Sequence, residues 1–213
     1  MRNLQKKFDE LQMVYGSKEL DSVYGAGKQD EPKVVFVFMN PTKRNIATDK
    51  NWKGLKAQWL GTKQIWSFLE KCGLFDPILN KEIQNKKPKE WDELFCERVY
   101  DEVKNRELWI TNLAKCSQDD ARPLPDGLFE VYKDLLLDEI KILNPSKIIL
   151  FGNQVSSIVL GEQIKVSEIR KKKFTLQIED KNFDVYSVFY PVGNGRFNQD
   201  KSIEDIKFIL GNN

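Results

Sequence analysis

The sequence predicts an α/β protein, a three-layer αβα arrangement around a mostly parallel central sheet of about four strands. Three observations carry this expectation. The run Val34 to Met39 is apolar throughout, largely β-branched or aromatic, and lies between Pro32 and Pro41, the pattern of a strand buried on both faces. Leu108–Leu113 and Lys147–Phe151 repeat that pattern. Segments with apolar residues at three- and four-residue steps separate the runs, as the crossover helices between parallel strands require.

The elements follow in order. Leu4, Phe8, Leu11 and Tyr15 give an amphipathic opening helix that Gly16 ends. Tyr24-Gly-Ala-Gly-Lys28 resembles part of a phosphate loop, but such a loop needs glycine at position 22 and Ser or Thr after the lysine, where the chain has Ser22 and Gln29. Residues 40 to 61 form a long loop rich in Lys, Asn and Trp, and loops of that length in a compact domain are commonly functional. Thr62 is placed to cap a helix carrying Ile65, Trp66, Phe68 and Leu69, which Gly73 stops. The stretch 77 to 107 reads as a helical insertion between sheet units, within a single domain spanning 1 to 213. Asp126 is placed to cap a helix running to Leu143, with Pro145 closing it. After the Lys147–Phe151 strand come a helix from Gly152, strands near 174–178 and 183–189, a glycine-containing loop from Tyr190 to Asn198, and an amphipathic closing helix.

Composition narrows the chemistry. No apolar run approaches the roughly 18 residues of a membrane span, and the N-terminus lacks the apolar core of a signal peptide, so a cytoplasmic or nucleoid-associated monomer is expected. The chain has no histidine, which removes the commonest general base near neutral pH, and its three cysteines form no C-x-x-C pair. A net charge of +2 leaves local charge to decide about nucleic acid. Lys50, Lys53 and Lys56 alternate with Trp52 and Trp59, and Lys86–Lys89 and Arg170–Lys173 form two further basic clusters. Basic residues interleaved with aromatics suit a surface that tracks phosphates and stacks bases. In an open α/β sheet, ligands sit just beyond the carboxyl ends of the strands. That rule selects Asn40, Asn112 and the Tyr190–Asn198 loop.

In their order these motifs resemble the uracil-DNA glycosylase superfamily. The likeness lies in Val35–Pro41, an Asn-Pro variant of the first motif, and in Trp59-Leu-Gly61. It continues in L-W-I-T-N-L-A-K-C-S-Q-D-D-A-R-P-L-P from Leu108 and in I-K-I-L-N-P-S-K-I-I-L-F-G from Ile140. The resemblance implies that Asn40 orients the attacking water and that Asn112 reads the edge of an extruded base. It places Met39 and Pro41 beside that base and Trp59 in stacking contact with it. Tyr190 stands where members commonly carry the histidine of a His-Pro-Ser motif. Lys115, Arg122 and the loop Gly193, Asn194, Gly195, Arg196 and Phe197 would contact DNA, with Arg196 or Phe197 filling the gap left by the extruded nucleotide. Members that bind an iron–sulfur cluster use four cysteines, and only Cys116 matches, so neither metal nor cofactor is expected. The implied function is a DNA base-excision glycosylase acting on uracil or another deaminated base. The alternative is a nucleic-acid-binding relative without turnover, and a small-molecule nucleotide-binding protein is less favoured.

Overall fold

The computed structural model describes residues 1–121 and 124–211. In chain order the helices and strands are α1 (Arg2–Tyr15), β1 (Ala26–Gly27), β2 (Val34–Phe38), α2 (Gln64–Lys71), α3 (Pro77–Asn85) and α4 (Glu93–Asn105). They continue with β3 (Leu108–Asn112), α5 (Asp126–Leu143), β4 (Lys147–Phe151), α6 (Asn153–Leu160), β5 (Lys173–Ile178), β6 (Lys181–Val188) and α7 (Gln199–Leu210). The sheet is mixed and has six strands in the order β1-β3-β2-β4-β6-β5. Its four inner strands are parallel to one another, and the two edge strands are antiparallel to their neighbours. A mostly parallel sheet of about four strands was expected; the sheet has six strands, with antiparallel strands at both edges.

Strand alternation divides the core between the two faces of this sheet. Val34, Phe36, Phe38, Ile110, Ile149 and Phe151 pack with Ile65 and Phe68 of α2, Val99 and Val103 of α4, and Ile206 of α7. Val35, Val37, Ile148 and Leu150 pack on the other side with Phe8 of α1, Phe129 and Leu136 of α5, and Val155 and Ile158 of α6. Helices thus cover both faces. The stretch expected as an insertion supplies α3 and α4, and α4 buries Phe95, Cys96, Val99, Tyr100 and Val103. It is an integral part of the layer over β3 and β1.

Local chemistry explains most of the boundaries. Asp76 and Asp92 cap α3 and α4 by accepting from the Leu79 and Phe95 amides, each at 2.7 Å. Two expected caps are absent. Thr62 donates instead to the Trp59 carbonyl at 2.6 Å, and Asp126 lies inside the first turn of α5, accepting from Gln154 Nε2 at 2.7 Å. The Tyr24–Lys28 glycines serve close packing at the sheet edge. A Cβ on Gly25 would lie 2.3 Å from Glu139 Oε1, and Gly27, at φ +128°, would press one to 2.2 Å from the Leu108 carbonyl. Among the described residues, no helix is long and apolar enough to cross a membrane.

The third basic cluster is partly absorbed into the fold. Arg170 bonds the buried Asp205 carboxylate at 2.9 to 3.1 Å and Glu204 at 2.8 Å, and Lys171 also pairs with Glu204. The hydrogen bonds from Lys171 and then Arg170 hold the Glu204 carboxyl down at about 2. A folded-state value below the unfolded one stabilises at higher pH and is lost on acidification through it. The stability difference between wild type and Glu204→Gln should therefore be fully developed above about pH 5 and shrink steadily toward pH 2. Urea unfolding at stepped pH measures it.

Candidate functional site

The carboxyl ends of the inner strands form one edge, and their register builds a row of side chains there. Phe38 pairs with Asn112 across β2 and β3, and Phe151 pairs with Val188 across β4 and β6. In parallel strands, residues in register project to the same face, so Asn112 lies beside Phe38 on the α2, α4 and α7 side. Phe38 stands at the centre of an aromatic cluster. It stacks on Phe151 at 4.2 Å between ring centroids, with Trp59 edge-on at 5.1 Å and Tyr190 edge-on at 6.0 Å.

Asn112 is the most informative residue of this cluster. It is 1% exposed, and among the described residues neither Oδ1 nor Nδ2 of its amide has a hydrogen-bond partner. The Trp59 indole nitrogen is likewise buried and unpaired. Leaving a buried polar group unsatisfied costs about 1–3 kcal/mol. Tyr190 keeps some exposed surface, yet burial alone pushes its hydroxyl pKa well up. It therefore remains a protonated donor across the neutral range.

The long loop brings Trp59 to this edge by a defined route. Asn45, which is buried, donates through Nδ2 to the Ala57 carbonyl at 2.8 Å and accepts from the Ala47 amide at 3.1 Å, folding the loop back on itself. Trp59 adopts φ +64°, a left-handed conformation uncommon outside glycine. Its carbonyl accepts from the Thr62 amide (3.1 Å), the Thr62 hydroxyl (2.6 Å) and the Trp66 indole (3.3 Å), which together hold that turn. Of the lysines in this loop, Lys56 pairs with Asp21 at 2.7 Å and Lys50 donates to the Lys18 carbonyl, while Lys53 is exposed.

Beyond the sheet, the chains after β2 and β3 remain side by side. The Leu113 and Ala114 amides donate to the Phe38 and Met39 carbonyls, and the Gln118 amide donates to that of Pro41. This pairing brings the expected residues Asn40 and Asn112 to the same edge. Asn40 is half-buried, and its Nδ2 donates to the Pro41 carbonyl at 3.1 Å. Met39 packs against the opposite core, under α1 and α5, so its side chain is not part of the aromatic cluster. Alternation along the strand turns it away from Phe38.

Lys115 departs from expectation outright. It is fully buried, with Nζ 2.7 Å from Glu139 Oε2, donating also to the Asn112 carbonyl and lying 5.0 Å from the Phe8 ring. Glu139 Oε1 accepts from Trp109 Nε1 at 2.9 Å and from Thr111 Oγ1 at 3.0 Å. Burial lowers the Lys115 pKa while Glu139 opposes the shift. A lysine enclosed in this way cannot contact phosphate. Arg122 lies outside the described residues, as does the side chain of Asn194.

The loop after β6 is a short 3₁₀ segment, Gly193–Asn198. Gly193 donates to Gln64 Oε1 at 3.2 Å. Phe197 is 84% exposed with the Arg196 guanidinium 5.5 Å from its ring, an apolar side chain and a cation standing together in solvent. Cys72, Cys96 and Cys116 are buried and burial raises their thiol pKa values, which leaves them unreactive. Among the described residues, no group of three His, Cys, Asp or Glu side chains is placed to hold a metal ion.

Sequence reasoning found Asn40, Asn112, Trp59 and Tyr190 but overlooked Phe38, Phe151, Asn45 and Glu139. For Glu139 the signal was present, since it shares the apolar stripe of α5 with Leu136, Ile140 and Leu143. Comparison with protein-family models and with curated proteins returns no match.

Gly195 shows how tightly the loop folds over Tyr190, because a Cβ there would sit 2.0 Å from the Tyr190 carbonyl oxygen. Gly195→Ala is expected to cost about 1–3 kcal/mol through overpacking. Chemical denaturation against wild type measures the loss.

Proposed function

We propose that this chain is a DNA base-excision glycosylase with a uracil-DNA glycosylase-like fold, hydrolysing the N-glycosidic bond of a flipped uracil or other deaminated base. The observation that carries the reading is the Asn112 amide, buried with donor and acceptor both unpaired and set beside an aromatic cluster at the carboxyl edge of the sheet. An amide offers two donors and an acceptor, which match the Watson–Crick edge of an extruded base. Aromatic rings nearby suit a base that has left its stack, and each such contact is worth about 1–3 kcal/mol. Because the amide is sealed from solvent, the base enters by displacing side chains that now cover it.

Cleavage passes through a cation-like sugar, with charge leaving on the base. Asn40, at the same sheet edge as Asn112, orients the water that captures the sugar, a task a neutral amide performs when the cation is reactive. The protonated Tyr190 hydroxyl donates to a carbonyl of the departing base. Arg196 and Phe197 occupy the gap in the duplex, where an exposed ring beside a cation fits a stack flanked by phosphates. This assignment draws on the motif order as well as on the site.

A second reading, nucleic-acid binding without turnover, is favoured by one observation. The Asn40 amide is already engaged by the Pro41 carbonyl, and no imidazole stands opposite it. Oligonucleotides carrying uracil, hypoxanthine, xanthine or a G·T mismatch, single- and double-stranded, separate the two when assayed for abasic sites. The glycosylase reading expects cleavage of at least one substrate. Asn40→Ala should lower the rate at least about tenfold with binding retained, and Asn112→Ala should weaken discrimination between damaged and normal bases by about 1–3 kcal/mol. Binding without cleavage in wild type would establish the second reading. Absence of binding at low salt, where phosphate contacts are strongest, would end both.

A further inference from the structure

The buried Lys115–Glu139 pair has an arrangement that stability alone does not require. Replacing a buried ion pair by apolar residues of similar volume is often neutral or favourable, so such a pair is weak evidence of a stabilising role. Its contacts are unevenly distributed. The Lys115 ammonium bonds the Asn112 main-chain carbonyl, and the Glu139 carboxylate takes the side-chain donors of Trp109 and Thr111. Every one of these partners lies on β3, within four residues of its carboxyl end. Both charges are fully buried and approach the strand from the α5 side, opposite the face on which Asn112 projects its amide.

The amide itself has no protein partner. Packing encloses it but no hydrogen bond among the described residues fixes its direction, so its position depends on how firmly the main chain beneath is held. Resting on the reading of Asn112 as the base-contacting amide, we infer that Lys115 and Glu139 are positioning residues for it. They clamp the last turn of strand backbone from behind so that an unpaired amide meets its ligand in one place. A charge-assisted bond to the carbonyl is shorter and stronger than a neutral one. Misplacement by about 1 Å is enough to cost a site most of its selectivity.

The test uses Lys115→Met/Glu139→Gln, which removes both charges together and so leaves neither stranded. Affinity is measured for oligonucleotides carrying hydrolysis-resistant 2′-fluoro analogues of the uracil, hypoxanthine and xanthine nucleotides, and for the unmodified oligonucleotide. The double variant should unfold cooperatively and bind the unmodified strand as wild type does. Its preference for the modified site should fall at least about tenfold. In ¹⁵N-labelled protein the Asn112 side-chain amide signals should move or broaden, while backbone signals from α6 and α7 stay in place. A folded double variant with unchanged preference and unchanged Asn112 signals would overturn the inference and leave the glycosylase reading standing. Wild type without any preference would sink that reading, and the inference with it. Should the double variant fail to fold, Thr111→Val decides, because it withdraws one donor from Glu139 and adds no charge. A loss of preference in that variant supports the clamp, and an unchanged preference overturns it.

Discussion

The structure depends on one strand being closed on every side. β2 hydrogen-bonds β3 along one edge and β4 along the other, and each of its five side chains is buried. A parallel strand in that position leaves no polar group to solvent and no face uncovered, so helices must lie above and below. Val35 and Val37 anchor one helical layer, and Phe36 and Phe38 the other. The edge at which β2 stops is where its backbone leaves the sheet. Phe38 occupies that place, and the aromatic cluster gathers around it.

The two buried polar centres at this edge differ in kind. Behind β3, Lys115, Glu139, Trp109 and Thr111 satisfy one another, and removing one charge of such a pair costs about 3–5 kcal/mol. In front of it, Asn112 is left with nothing to bond. A sequence selected only to fold would place an apolar residue there, as positions 36 and 149 of the same layer have. Complete satisfaction on one side and its absence a few ångströms away is the pattern of a rigid support beneath an open recognition group.

How much of this was legible follows from what each signal measures. The inner strands and α5 were readable because Val34–Phe38, Lys147–Phe151 and the Phe129–Leu143 stripe obey strong periodicities. The edge strand β1 was harder. β1 is two residues long and contains a glycine whose missing Cβ leaves room for the Leu108 carbonyl, a tertiary contact with no local trace. Asn40 and Asn112 were found because strand ends are marked by the abrupt stop of apolar residues. Lys115 was misread because a lysine beyond a strand looks the same whether it turns outward or under the sheet. Only Glu139, an acid on the apolar stripe of α5, hinted that a cation was buried opposite. Trp59 was selected for its chemistry, but its left-handed turn depends on three donors to one carbonyl that no spacing rule reveals.

The absence of histidine has a consequence beyond the missing base. Burial raises the Tyr190 hydroxyl and the Cys116 thiol above their ordinary ranges, and it lowers the Lys115 ammonium even as Glu139 opposes the shift. No imidazole titrates anywhere in the chain in the interval from about pH 5 to pH 8, where that group changes charge. A rise or fall of ligand capture across that interval has no histidine behind it, and the ionisation of the ligand is the first place to look for its cause.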